Sequence, residues 1–335
     1  MTTDADQTRN RLRHLGLTDA AIEAAWPDWW SNDADTSPSA RLELRFSLAR
    51  KLGLDARSLV DEEGVPRFIW RDEARFKNLA GESDLERAAI SSFGRAVASI
   101  LLGATAKGQT TLGADPISIR NNVLRSRPYV GLLELLVLCW ATGIPVVQLR
   151  VFPCLRKRMA AMSVRVSDRS AVLLAKESMY PAPIAFYLAH EVAHIALGHL
   201  SRETAIVDLE SDSPAIGSDD QEEEAADRFA LQLLTGRPDP QVLSSGGAYN
   251  APGLADAVLR AAPGLRIEPG TLALCFGYST RNWAVVNSAM RFIYPSARPV
   301  WAEVNKLASH ELTLDEVPSD ARTYLAAVLG EAAAS

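Results

Sequence analysis

Apolar residues recur at every third or fourth position along most of the chain and change to a shorter period only in its middle. From Pro38, with Ser37 placed as an N-cap, Leu42, Phe46, Ala49 and Leu52 share a helical face; Ile90, Phe93, Val97 and Leu101 do the same within 85–102. The first third is therefore predicted to be mainly helical. Three segments then read as strands: "IPVVQLRVF" (144–152), "MSVRV" (162–166) and "SAVLLA" (170–175), the last two joined by the turn "SDR". Helical periodicity returns at Pro181 and Pro183, which suit a first turn, and runs to about Leu197, where Gly198 suits a left-handed cap. Residues 201–221 are acidic and show no period. "EEEAADRFALQLLTGRPDP" predicts one more helix, stopped by Gly236 and Pro238, and several short helices are expected after 241. The predicted fold class is α+β: mainly helical, with a small antiparallel or mixed three-stranded sheet beside the helix at 181–197.

Composition narrows the class. The 335 residues are 47% hydrophobic and 23% charged, ordinary for a globular protein. A net charge of −6 argues against nucleic-acid binding through overall charge. Three cysteines, Cys139, Cys154 and Cys275, form no CxxC pair, so no disulfide framework is expected. The first ten residues carry neither a basic start nor an apolar core, and the expected location is cytoplasmic. The run 130–149 is long enough to span a bilayer, yet Gly143 and Pro145 interrupt it; a buried helix followed by a core strand is the more economical account, with no membrane partner.

Candidate chemistry lies in "AFYLAHEVAHIALGHL" (185–200), where His190, Glu191 and His194 interrupt an apolar helix. Residues four apart lie one turn apart on the same face, so two imidazoles can aim at one point, and Glu191 can take a proton from a water at a metal held there. This is the HExxH arrangement, with metal-assisted hydrolysis as its chemistry. The competing reading is a chance match, which the apolar flanks make costly, since buried polar groups need partners. The motif calls for a third ligand, one Zn²⁺ ion and an open fourth position. In "EEEAADRFALQLL", Glu223, Ala226, Ala230 and Leu233 share a face, making Glu223 the candidate; the alternative is an exposed acidic first turn complementing the helix dipole. Glu224 stands four before Arg228, at ion-pair spacing. His199 is one residue out of step with the metzincin pattern and, on a continued helix, would point away from His194; it reads as a cap or an outer partner of the site. Tyr187 and Tyr180 are candidate donors to a developing oxyanion.

"FYLAHEVAHIALGH" followed by "EEEAADRFALQLL" resembles the ImmA/IrrE family of zinc metallopeptidases, of the gluzincin type, over about residues 126–240. The resemblance implies His190, His194 and Glu223 as zinc ligands, Glu191 as general base and Asp227 as a partner behind a ligand. Ala225 stands where many relatives carry Glu, which keeps Glu222 and Glu224 open as alternatives to Glu223. It further implies a protein substrate, a helix-turn-helix transcriptional repressor, in a stress, phage or mobile-element response. The competing class is a regulatory or DNA-associated sensor whose zinc site performs little proteolysis. The expected organisation is an acidic N-terminal helical appendage (1–36), a helical domain (37–125), the zinc metallopeptidase domain (126–240) and a C-terminal helical region (241–335).

Two weaker signals remain. "SLARKLGLDARSLVDEEG" (47–64) has a helix-turn-helix look, but residues 41–77 balance nine Lys/Arg against seven Asp/Glu, so an ordinary helical hairpin is favoured over direct nucleic-acid contact. Residues 120–169 hold nine Lys/Arg against Glu134 and Asp168, read as a solvated face.

Overall fold

A computed structural model describes residues 3–69, 74–76, 83–155, 159–201, 205–209, 221–242 and 249–330. Its helices are α1 (Asp4–His14), α2 (Asp19–Ala25), α3 (Pro38–Leu52), α4 (Ala56–Val60), α5 (Asp84–Gly103), α6 (Pro116–Leu124), α7 (Leu132–Ala141), α8 (Pro181–Ala196), α9 (Gln221–Thr235), α10 (Ala251–Leu265), α11 (Pro269–Thr280), α12 (Trp283–Ile293), α13 (Val300–Glu311) and α14 (Ser319–Leu329). The strands are β1 (Ala74–Phe76), β2 (Val146–Gln148), β3 (Met159–Val166), β4 (Arg169–Leu174) and β5 (Ala205–Leu209). The α+β class holds, but the sheet has five strands in the order β1-β5-β3-β4-β2 rather than three.

The hairpin β3–β4 is antiparallel, as its "SDR" turn requires, with Ser163 opposite Val172; Ser167 takes a positive φ of 58° in that turn. β2 joins β4 in parallel, and β5 joins β3 antiparallel, so the sheet is mixed. β5 lies inside the acidic stretch that shows no period. Its "AIVDL" is too short for alternation to register, and pairing with β3 supplies the order that local sequence does not. β1 pairs with β5 in parallel. The strand expected over 144–152 shortens to three residues, because beyond Leu149 the chain leaves the sheet and Arg150 N–H donates to Val328 O beside α14.

The sheet is covered on both faces. On one lies α5, whose first turn is closed by a capping box between Ser83 and Glu86. Its Gly94 permits the close approach, since a Cβ there would sit 2.3 Å from Met162 Sδ. On the other lies α8, packed in turn against α7, α9 and α11. Strand alternation splits the core accordingly: Met162, Val164, Ala171 and Leu173 join the α5 side, Ala161, Val172 and Leu174 the α8 side. The 130–149 run is α7 followed by β2, and no helix among the described residues is long and apolar enough to cross a membrane.

The helices of the N-terminal segment, α1 and α2, pack into the main body. Leu12, Ala21, Ile22 and Ala25 are buried in the same core as α3, α5 and the sheet, because α1 and α2 are amphipathic and their apolar sides need cover. α14 returns from the far end of the chain to this body. Tyr324 donates to Lys51 O at 2.7 Å, and Asp320 takes Arg50 at 2.6 Å and Lys51 at 3.7 Å. Of the cations in 41–64, Arg45 pairs with Asp4 and Glu62 while Arg50 and Lys51 pair with Asp320, which favours the plain helical hairpin. A third core holds α10, α11 and α12 together.

Candidate metal centre

α8 presents its second half to the interior. Tyr180 precedes Pro181 as the N-cap, the helix stays regular to Ala196, and Gly198 at φ 75° turns the chain left-handed. His190 and His194 are 1% and 0% exposed, and their Nε2 atoms lie 3.0 Å apart. α9 crosses α8 and brings up one of its three adjacent glutamates: Glu223 is buried, Glu222 half-buried and Glu224 exposed. Glu223 Oε2 is 3.2 Å from His190 Nε2, and Oε1 is 3.5 Å from His194 Nε2. The structure thus selects Glu223 from the three. These residues form the group that could hold a metal ion among the described residues.

Donor chemistry and spacing both suit a tetrahedral divalent ion. Metal–ligand bonds of about 2.0–2.1 Å put the edge of a tetrahedron at about 3.3 Å; the two Nε2 atoms lie 3.0 Å apart, and the Glu223 carboxylate offers Oε2 at 3.2 Å to His190 and Oε1 at 3.5 Å to His194. Asp227 Oδ1 lies 2.8 Å from His190 Nδ1. A carboxylate there favours the proton on Nδ1 and turns the Nε2 lone pair toward Glu223 and His194. Lone pair then faces carboxylate in a dry site, an arrangement that a cation relieves.

The outer contacts follow from the helix ends. Because Gly198 stops α8 and a 3₁₀ turn (199–201) follows, His199 folds back, and its Nδ1 meets His194 Nδ1 at 2.8 Å. It does not point away, as a continued helix would make it. Glu191, fully buried, accepts a hydrogen bond from the Ser163 hydroxyl of β3. Tyr187 packs against Phe186 in the core beneath α8, and Tyr180 stacks on Tyr294 with ring centroids 5.4 Å apart.

Two contributors escape sequence reasoning. Ser163 lies in an apolar strand with no motif around it. Tyr278, on α11, stands edge-on to Trp283, and its hydroxyl is buried without a hydrogen-bond partner among the described residues. Burial first, and the Asp227 carboxylate next, push its phenol far above the ordinary tyrosine range. Tyr278 and Asp227 line one wall of a cleft of about 640 Å³ together with Arg228, Leu231, Pro240 and Arg281. Only tertiary packing of α11 on α8 and α9 brings them together.

The basic stretch 120–169 is largely structural. Arg120 donates to Leu233 O, Leu234 O and Arg266 O, Arg150 pairs with Glu177, and Arg169 donates to Leu102 O, Thr105 O and Ala106 O. Arg156, Lys157 and Arg158 lie outside the described residues. Compared with family models, curated proteins and solved structures, the chain matches none.

Proposed function

We propose that this chain is a zinc-dependent endopeptidase that hydrolyses a peptide bond in one specific protein partner, a helix-turn-helix repressor of the kind the ImmA/IrrE resemblance implies. The observation that carries the reading is the buried triangle of His190, His194 and Glu223, with Glu191 next in sequence to the first histidine. In this reading those three residues hold the ion. Bound there, zinc supplies Lewis-acid activation of water and polarisation of the scissile carbonyl. Glu191 accepts the proton from the attacking water at its carboxylate and returns it to the departing amine. Asp227 and His199 hold the outer nitrogens of the two histidines and fix their ring orientation.

One observation favours the competing sensor reading: Glu191 is 0% exposed, whereas a general base must be reached by its substrate. A single experiment separates the two. The chain and its Glu191→Gln variant are each co-expressed with any repressor encoded beside the gene, zinc is counted per chain, and repressor fragments are sized by mass spectrometry. The peptidase reading expects one zinc in both proteins and fragments only with the unaltered chain. An intact repressor with both, under every stress applied, supports the sensor.

A further inference from the structure

Strand β3 is covered on both faces, and five of its first six residues, Met159, Ala160, Ala161, Met162 and Val164, are apolar and buried. Ser163 is the exception. It is fully buried at mid-strand, opposite Val172 of β4 and Ile206 of β5, both apolar and buried. Nothing in the sheet calls for a hydroxyl there. A β-branched apolar side chain would suit the position and would avoid the cost of burying an O–H. The hydroxyl instead meets a charge-bearing group from the facing helix: Ser163 Oγ–H donates to Glu191 Oε2. A central strand bonded to a neighbour on each edge is a rigid mount, and a donor on it restricts the rotamers of a long carboxylate side chain.

We propose that Ser163 is a positioning residue for Glu191, setting the orientation in which that carboxylate serves the metal centre. The proposal rests on the peptidase reading for the role of Glu191. It goes beyond that reading by placing the control of Glu191 on the sheet, 28 residues away in sequence though one hydrogen bond away in space. Ser163 itself touches no reacting atom.

The test uses the full-length zinc-loaded chain and acetohydroxamic acid, a small probe that chelates the metal through two oxygens and leaves a hydrogen for a neighbouring carboxylate. Its affinity is read by calorimetry, and zinc per chain is counted alongside. Ser163→Ala should weaken the probe about tenfold, the size of one hydrogen bond to a charged group, with zinc content unchanged. Ser163→Thr, which keeps the hydroxyl, should stay within about twofold of the unaltered chain, and the near-isosteric Ser163→Val should behave as Ser163→Ala. Glu191→Gln should weaken the probe too, and adding Ser163→Ala to it should cost nothing further. The Thr/Val pair carries the same contrast if the alanine variant fails to fold. The proposal is overturned if Ser163→Val binds the probe as the unaltered chain does, or if Ser163→Thr fails as badly as Ser163→Val. An unaltered chain that takes up no zinc instead sinks the metalloenzyme reading itself, and the proposal with it.

Discussion

Two buried polar clusters in this chain are built on opposite principles. At Arg120, 4% exposed, one guanidinium reaches three backbone carbonyls, Leu233 O and Leu234 O at the end of α9 and Arg266 O just past α10; donors meet acceptors and the charge lies against the helix terminus that favours it. Lys51 follows the same rule, giving Ala25 O a hydrogen bond at 3.1 Å with Asp320 nearby. At His190, His194 and Glu223 the pattern differs: two imidazoles and a carboxylate, all groups able to ligate a cation, converge on one another at 3.0–3.5 Å. A folded chain tolerates such a convergence when something positive joins it. The contrast separates a group retained to hold helices together from one retained for what it binds.

The largest effect that could break this contrast comes from the metal. Free zinc at a thousand times its dissociation constant should stabilise the chain by about 4 kcal/mol against urea, and a chelator should remove that increment. Glu223→Gln should abolish stoichiometric zinc, and Asp227→Asn, which alters the group behind His190 Nδ1, should weaken zinc about 10- to 100-fold in a competitive-chelator titration. If zinc leaves the unfolding curve unmoved, the cluster has no cation to justify it and the comparison fails.

Next in size is the clamp. Arg120→Leu strands three carbonyls in the interior and should cost about 3 kcal/mol of stability, read by urea denaturation with and without zinc. The loss should be the same at saturating zinc if the clamp is purely architectural. A larger loss in the zinc-loaded chain would show that the clamp also serves the site.

A third effect emerges only at alkaline pH and tests how tightly the neighbourhood of the centre is closed. Burial pushes the Cys139 and Cys275 thiols from 9.0 up to about 12. Folded-state values raised in this way favour the native protein fully below about pH 9, and that contribution is lost as pH climbs toward 12. Iodoacetamide at pH 8.5 should therefore label neither thiol until the chain unfolds. Labelling of Cys275 in native protein would show the cleft beside Asp227 to be more open than the packing of α11 indicates. The smallest effect concerns the surface. Glu224 and Arg228 pair at 3.4 Å, both more than half exposed, and Glu224→Gln should change stability by less than about 0.5 kcal/mol, in contrast to its neighbour Glu223.

Much of this was legible in the chain because it is local. Ser37 before Pro38 and Gly236 after Thr235 mark helix ends by side-chain and backbone chemistry that acts over a few residues. His190, Glu191 and His194 announce themselves by spacing, and Glu223 by the face it shares with Ala226. The rest depends on distant partners. β5 exists because β3 offers it hydrogen bonds, and its own five residues carry no distinctive period. His199 turns inward because Gly198 ends the helix, which a continued helix would not reveal. Ser163 and Tyr278 reach the centre through packing alone, and α1 and α2 belong to the main core although their acidic composition suggests a detached segment.

The tie between Arg120 and the end of α9 has an evolutionary consequence. Glu223 and Leu234 ride on one rod, each residue of which advances it by about 1.5 Å, whereas a coordination sphere accepts errors of only about 0.2 Å. Adding or removing one residue between them would displace the ligand by several times what the site can absorb. Descendants of this gene are thus bound to keep those eleven steps of helix at their present length.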